Sequence, residues 1–215
     1  MWELIEMNIN RSLTYFACIL GGLLGNISYF LCFFISLSLY PLPFSPVNNW
    51  MSDLGNSSYN PQGAIWFNIA NILSGVGLVL FYVGFSVWYG EEGKQNFLMK
   101  LTQVAGFLNA FAIVMVGIFS EDYGAFHGVL AGLFFHTNLV VLIFTFLAFR
   151  SLPQFPKWIA RYCLLVAGLN LSFIVFSFTV FYMFPLPLLE WMTVVAGYPL
   201  VGLFLAKMIR SSRQG

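Results

Sequence analysis

The stretch Ser120–Asn138, SEDYGAFHGVLAGLFFHTN, combines carboxylates, histidines and a long apolar run. It begins with the adjacent carboxylates Glu121 and Asp122, and it contains both histidines of the protein, His127 and His136. The apolar run continues for more than about 20 residues, the length that a helix needs to cross a bilayer. The stretch therefore predicts a membrane-spanning helix that starts beside a group of titratable side chains.

The composition predicts a membrane protein. The chain has 215 residues, of which 60% are hydrophobic and 8% are charged. A soluble domain carries about 25% charged residues, so membrane lipid is the expected surroundings and partner of this chain. The net charge of +1 argues against a nucleic-acid partner, which a strongly basic surface would attract. The three cysteines lie in apolar segments without metal-ligand spacing, and no motif identifies a cofactor.

Six apolar segments are long enough to span a membrane as helices. Their continuous apolarity favours helices over barrel strands, which alternate polar and apolar side chains. The predicted fold class is all-α, a polytopic membrane protein with a six-helix transmembrane bundle that forms one domain over residues 1–215. The predicted spans are 13–40, 64–89, 101–119, 126–149, 162–184 and 189–207.

The basic residues predict the orientation of this bundle. With six spans, all nine fall on one side of the membrane: Arg11, Lys94, Lys100, Arg150, Lys157, Arg161, Lys207, Arg210 and Arg213. The positive-inside rule assigns this side to the cytoplasm. We therefore expect both termini in the cytoplasm and the protein in the plasma membrane.

The opposite, outer side is acidic and has no lysine or arginine. It carries Asp53, Glu121, Asp122 and Glu190, and His127 lies about one helical turn inside it. These groups could catalyse a reaction, with His127, Asp53 and Glu190 as acid and base. They could also bind a divalent metal, through His127 with Asp53, Asp122 or Glu190, or bind a cationic or polyol headgroup. The plainer alternative is that the carboxylates only stabilise turns and helix N-termini.

Further polar residues extend this outer group. Ser52 lies in the long first outer loop, and Asn68 and Asn71 lie in the outer half of the second span, on one face. Together with Glu121 and Asp122, these three residues are the expected ligand-binding side chains.

Other polar residues lie deep in the spans: His136, Asn26, Asn109 and Asn170. We expect them to be buried and to form hydrogen bonds between helices. His136 points almost opposite to His127 on the same helix, so the two histidines are not expected to share a site.

Two glycine pairs predict close helix contacts. They are Gly21 with Gly25 in the first span and Gly128 with Gly132 in the fourth. Small residues at this spacing let another helix approach closely. That helix can belong to the same chain or to a second copy, so the pattern also allows a homo-oligomer.

Short motifs spread along the chain resemble the multi-pass membrane family called domain of unknown function 998. They are Ser52-Asp53-Leu54-Gly55, Asn60-Pro61, Phe67-Asn68, Val116-Gly117-Ile118-Phe119 before an acidic pair, His127, Phe134-Phe135 and Leu188-Leu189-Glu190. The resemblance implies a six-helix prokaryotic or archaeal membrane protein in which Asp53, Asn68, His127 and Glu190 occupy motif positions. It implies no activity. Family members usually have a basic residue after the last glutamate, where this chain has Trp191.

Three functions follow from these patterns. The first is a membrane protein that binds a lipid headgroup or small polar ligand in an outward-facing pocket between the second, fourth and sixth spans. The second is an intramembrane lipid-modifying hydrolase in which His127 and a carboxylate activate water, with or without a metal. The third is a transporter, which the position of the charged residues at one face, rather than at mid-membrane, makes the weakest.

Overall fold

The computed structural model describes residues 2–90, 93–179 and 186–212, and its side chains are described from residue 12 to residue 210 within those ranges. The described residues form six long helices, each apolar and long enough to cross a membrane. These are α1 (Trp2–Ser38), α2 (Ala64–Val83), α3 (Gly93–Ile118), α4 (Ala125–Phe149), α5 (Lys157–Thr179) and α6 (Leu186–Ser212). The predicted all-α, multi-pass bundle is confirmed.

At the end that carries the basic residues, α1, α3, α5 and α6 extend beyond the predicted spans, whereas α2 ends at Val83, short of the predicted residue 89. The third helix begins at Gly93 rather than at residue 101, and the fifth begins at Lys157 rather than at residue 162. Apolarity ends near the membrane surface, whereas lysine, arginine and glutamine are good helix formers that let the helix continue into water. The predicted end of the fifth span, at residue 184, lies outside the described residues.

The helices form a ring. Each helix packs against its neighbour in sequence, and α6 packs against α1. Because successive helices run in opposite directions, the segments between α1 and α2 and between α3 and α4 lie at the same end as the start of α6. We call this the acidic end.

An aromatic cluster fills the ring toward the opposite, basic end. Phe85 stacks on Phe204 with ring centroids 5.5 Å apart, and Phe149 meets Phe204 edge to face at 4.9 Å. Trp88 and Phe155 complete the cluster, and all five side chains are buried. Aromatic pairs in these geometries contribute to stability beyond their buried area. The interior of the ring is therefore packed at its basic end.

Candidate functional site

The loop of residues 39–63 folds back over the acidic end of the ring. Asn60 is fully buried and fixes this loop: its Nδ2 donates to Ser36 Oγ and to the Leu54 carbonyl, each at 3.0 Å. Its Oδ1 accepts a hydrogen bond from the Gly63 backbone amide at 3.1 Å. Asn60 was not predicted as a site residue from the sequence. The signal for its role was the Asn60-Pro61 turn before the second helix.

Asp53 stabilises the loop itself. It belongs to a short 3-10 helix, Met51–Gly55, and its Oδ2 accepts the Trp50 backbone amide at 3.0 Å. It is buried and lines neither of the two cavities described below. The prediction of Asp53 as a catalytic residue is therefore not supported, because its carboxylate is already used to cap this helix.

Asn68 also has a structural contact in place of the predicted ligand contact. Its Nδ2 donates to the Gly55 carbonyl at 3.1 Å, and a Cβ on Gly55 would collide with the Asn68 side chain. Asn68 therefore holds the 3-10 helix against α2. It faces away from the cavities that Asn71, one turn further along the same helix, does line.

Asp122 ties the loop to the turn between α3 and α4. Its Oδ1 accepts the Ser57 backbone amide at 2.8 Å and the Ser57 hydroxyl at 2.9 Å, and its Oδ2 accepts the Ser120 hydroxyl at 2.9 Å. Slight burial opposes ionisation, but these three hydrogen bonds outweigh it and lower the pKa of Asp122. These contacts are structural, and Asp122 lines neither of the two cavities described below, so its role in ligand or metal binding stays a prediction.

Glu190 joins α6 to the same loop and still faces a cavity. It is 9% exposed, and its Oε2 accepts the Met51 backbone amide at 2.7 Å. Its Oε1 has no hydrogen-bond partner among the described residues. The next residue, Trp191, donates from Nε1 to the Asn49 carbonyl at 3.1 Å. Trp191 thus contacts the loop at the position where a basic residue was expected from the resemblance.

Glu121 lies beside Asp53, close enough for each carboxyl group to affect the ionisation of the other. Burial, followed by the charge of Asp53, raises the pKa of Glu121 to about 7. Burial also raises the pKa of Asp53, although hydrogen bonds from Asn49 and Trp50 oppose this effect. Glu121 Oε2 is buried and accepts no hydrogen bond from the described part of the chain. No lysine or arginine in the described ranges neutralises this acidic pair.

His127 is oriented by the turn that precedes α4. Gly124 has φ +55°, a backbone conformation that favours glycine, and the helix begins at the next residue, Ala125, two residues before His127. The His127 ring is 7% exposed, and its Nδ1 lies 2.8 Å from the Phe119 carbonyl oxygen. Because a carbonyl can only accept, Nδ1 carries the proton. In the neutral imidazole, Nε2 is consequently an acceptor.

Two cavities meet at this end of the ring. The interior cavity, of about 140 Å³, runs inside the ring and is lined by α1, α2, α3, α4 and α6. The lateral groove, of about 450 Å³, lies between α4 and α5. Ser52, His127 and Glu190 line both. We call these three side chains the polar junction. The structure thus brings together two of the three predicted catalytic residues and one predicted ligand-binding residue.

The interior cavity is mostly apolar but has polar side chains along its length. Asn71 is 3% exposed, and its side chain forms no hydrogen bond with any described residue. This cavity is also lined by polar residues that were not predicted as site residues: Tyr29, Ser74, Asn138, Thr145, Thr193 and Tyr198. Single hydroxyls and amides within apolar helices give no signal of their own, because only the packing shows which of them face the interior.

His136 is exposed rather than buried, so this prediction was wrong. Its Nδ1 lies 2.7 Å from the carbonyl oxygen of Gly132 in its own helix. It also borders the lateral groove together with His127, although the two histidines were not expected to share a site. Gly128 and Gly132 have no atoms within 4 Å of a Cβ placed on them. Without side chains at these positions, the groove reaches round α4 from one histidine to the other.

The deep asparagines divide into two kinds. Asn109 donates to the Phe134 carbonyl at 2.9 Å, and Asn170 donates to the Phe135 carbonyl at 3.0 Å. Both are buried and connect α4 to a neighbouring helix, as expected. Asn26 is only partly buried and lines the interior cavity. It bonds to no other helix in the described ranges, so the expected interhelical hydrogen bond is not found there.

The expected metal ligands are not assembled. Within residues 2–90, 93–179 and 186–212, no three His, Cys, Asp or Glu side chains form a group that could hold a metal ion. His127 Nδ1 and both oxygens of Asp122 already have protein partners.

Comparison with known proteins identifies a family. The family model described as Protein of unknown function (DUF998) matches residues 23–207, a range that begins within α1 and ends within α6. The match confirms the resemblance seen in the sequence motifs. No curated protein and no solved structure matches the chain.

Proposed function

Because the chain belongs to this DUF998 family of unknown function, we propose from its geometry that the protein binds a membrane lipid. The headgroup lies at the polar junction, and the tail lies in the interior cavity. The observation that carries this proposal is that Ser52, His127 and Glu190 line both the interior cavity and the lateral groove. A polar group at the meeting point of two apolar spaces suits an amphiphile, which has one polar end.

The lateral groove supplies the entry route from the bilayer. Its walls are α4, with Gly128 and Gly132, and α5, with Phe173, Ile174 and Phe178. A lipid in one leaflet can move between these helices without its tail passing through water. Ionisable and polar side chains within a membrane commonly mark such a ligand path.

The interior cavity suits a lipid tail by length. His127 and Thr145 on α4 both line it, and at 1.5 Å per residue they lie about 27 Å apart along the helix axis. This length approaches the roughly 30 Å thickness of the hydrocarbon core. An extended tail of one leaflet spans about half of that thickness, so the cavity is long enough for it.

We further propose that the polar junction faces outward in the plasma membrane, with both termini in the cytoplasm. The basic residues in the described helices support this orientation. Lys94, Lys157 and Arg161 lie in the first turns of α3 and α5, and Arg150 directly follows α4. All are at the end of the ring opposite to the acidic end, as the positive-inside rule requires.

The lateral groove can be blocked to test lipid binding. In Gly132→Leu the new side chain fills the groove without a clash, because nothing lies within 4 Å of its Cβ. We expect lipid that copurifies with the protein, measured by native mass spectrometry, to fall about tenfold. Gly168→Leu is the matched control, since Gly168 lies on α5, is exposed and also has open space. Equal lipid retention in the two variants would contradict the proposal.

Hydrolysis of the bound lipid is a second candidate, favoured by the geometry of His127. Its Nδ1 is fixed by the Phe119 carbonyl, which leaves Nε2 free to accept a proton from water or from the Ser52 hydroxyl at the polar junction. This candidate predicts ester turnover that His127→Ala abolishes. His136→Ala, a change in the other histidine of the groove, should leave turnover unchanged.

A further inference from the structure

The polar junction and its surroundings present mainly hydrogen-bond acceptors. His127 Nε2 is an acceptor because Nδ1 carries the proton. Glu190 uses Oε2 to accept the Met51 amide, which leaves Oε1 free. Glu121, which also lines the lateral groove, has a buried Oε2 that accepts no hydrogen bond within the described ranges. These three acceptors require donors from the ligand.

The charges of the site lead to the same requirement. Among the described residues, neither the interior cavity nor the lateral groove is lined by a lysine or an arginine. Phosphate and carboxylate groups are recognised by such side chains. An anionic headgroup placed here would meet the acceptors of Glu121 and Glu190 and would find no cation to pair with among the described lining residues.

Asn71 provides an independent sign that the site holds a ligand. It is 3% exposed, faces the interior cavity from α2 and has no partner among the residues that the structure describes. Buried amides are normally hydrogen-bonded, and leaving one unsatisfied costs about 1–3 kcal/mol. A headgroup with hydroxyl or amine groups would satisfy Asn71 as well as the acceptors of the polar junction.

We infer that the ligand of the proposed lipid site is an amphiphile whose headgroup is rich in O–H or N–H donors and carries no phosphate or other anionic group. A polyol or an amine headgroup meets this description. The inference rests on the proposed function and defines the chemical class of its ligand.

Competition among single-chain probes tests the inference directly. Monooleoylglycerol, oleylamine and oleoyl lysophosphatidic acid have similar tails and carry a polyol, an ammonium and a phosphate headgroup. We expect the wild-type protein in nanodiscs to bind one or both of the first two at least about tenfold more tightly than the third. Preference for the glycerol probe identifies a polyol site, and preference for the amine probe identifies a cation site.

Charge reversal at the groove gives a second measurement. Glu121 is only half-buried, so Glu121→Arg places a guanidinium at the edge of the lateral groove with little packing cost. This variant should bind the phosphate probe about tenfold more tightly than the wild type does. Glu121→Gln, which removes the charge without reversing it, is the matched control and should show a smaller change.

The outcomes separate this inference from the proposed function. If the phosphate probe binds the wild type most tightly and Gly132→Leu blocks it, the headgroup class is wrong but lipid binding stands. If no probe binds more tightly to the wild type than to Gly132→Leu, the proposed function fails as well.

Discussion

Two boundaries between neighbouring helices, which we call seams, have glycines at the same spacing but differ completely in packing. At the seam of α1 and α2, a Cβ on Gly21 would collide with the backbone of Gly77, and the Gly25 Cβ position lies 3.4 Å from the Ser74 carbonyl oxygen. At the seam of α4 and α5, Gly128 and Gly132 have nothing within 4 Å. The first seam is closed by backbone contact, and the second contains the lateral groove.

The facing helix explains this difference. Opposite Gly21 and Gly25, α2 presents Ser74 and Gly77, so both helices offer small residues and the backbones meet. Opposite Gly128 and Gly132, α5 presents Phe173, Ile174 and Phe178, which are too large for close approach. A glycine pair therefore permits close packing, but the partner decides whether it occurs.

The largest expected effect comes from filling the closed seam. In Gly21→Leu the side chain has no free space, because the nearest atoms include the backbone of Gly77 and Phe81. We expect a loss of about 3 kcal/mol or more in the free energy of unfolding. Thermal unfolding followed by size-exclusion chromatography in detergent measures this loss.

Gly132→Leu is the matched change in the open seam, and its stability should change by less than about 1 kcal/mol. Equal destabilisation of the two variants would show that the seams do not differ in solution.

The fold and the site were predictable to different degrees. Apolarity and charge vary along the chain, so six spans and the separation of acidic from basic ends follow directly from the sequence. Glu190 and His127 were placed at the site because they lie at helix starts on the acidic end. Asp53, Asn68 and Asp122 lie at the same end, yet they bond to loop backbone, and no periodic pattern encodes the path of that loop.

His136 illustrates a second limit of prediction. Helical spacing places it almost opposite His127, and this is correct. The spacing does not show that α5 stands away from Gly128 and Gly132, because that separation depends on side chains of another helix. Contact between helices is a property of pairs of sequences, whereas periodicity describes only one.

A substitution in the interior cavity is expected to have an intermediate effect. The closed seam between α1 and α2 forms one side of this cavity. Gly197 lines this cavity on α6 and has no atoms within 4 Å of its Cβ position, so Gly197→Phe fills the cavity without a clash. Each buried methylene contributes about 0.8 kcal/mol, or about fourfold in affinity. Affinity for monoacylglycerols of increasing length should therefore rise in the wild type and level off at shorter chains in Gly197→Phe.

Gly202→Phe is the matched control, since Gly202 is on the same helix with open space but does not line the cavity. Its dependence on chain length should equal that of the wild type. A Gly197→Phe variant that keeps the full dependence would place the tail outside the interior cavity.

The smallest effect is a pH dependence of stability at the open seam. Glu121 borders the lateral groove, and burial together with Asp53 raises its pKa from 4.5 to about 7. Since the folded protein binds the Glu121 proton more tightly than the unfolded chain does, this contribution to stability is complete below about pH 4.5 and is lost as the pH rises to about 7. Glu121→Gln should flatten the fall of the melting temperature across that range.

Asp122→Asn offers a control of opposite sign, because the lowered pKa of Asp122 stabilises the fold above its usual titration range and that contribution disappears as the pH falls. If Glu121→Gln and the wild type lose stability equally between these pH values, Glu121 does not carry a buried proton and the groove is more hydrated than its lining indicates.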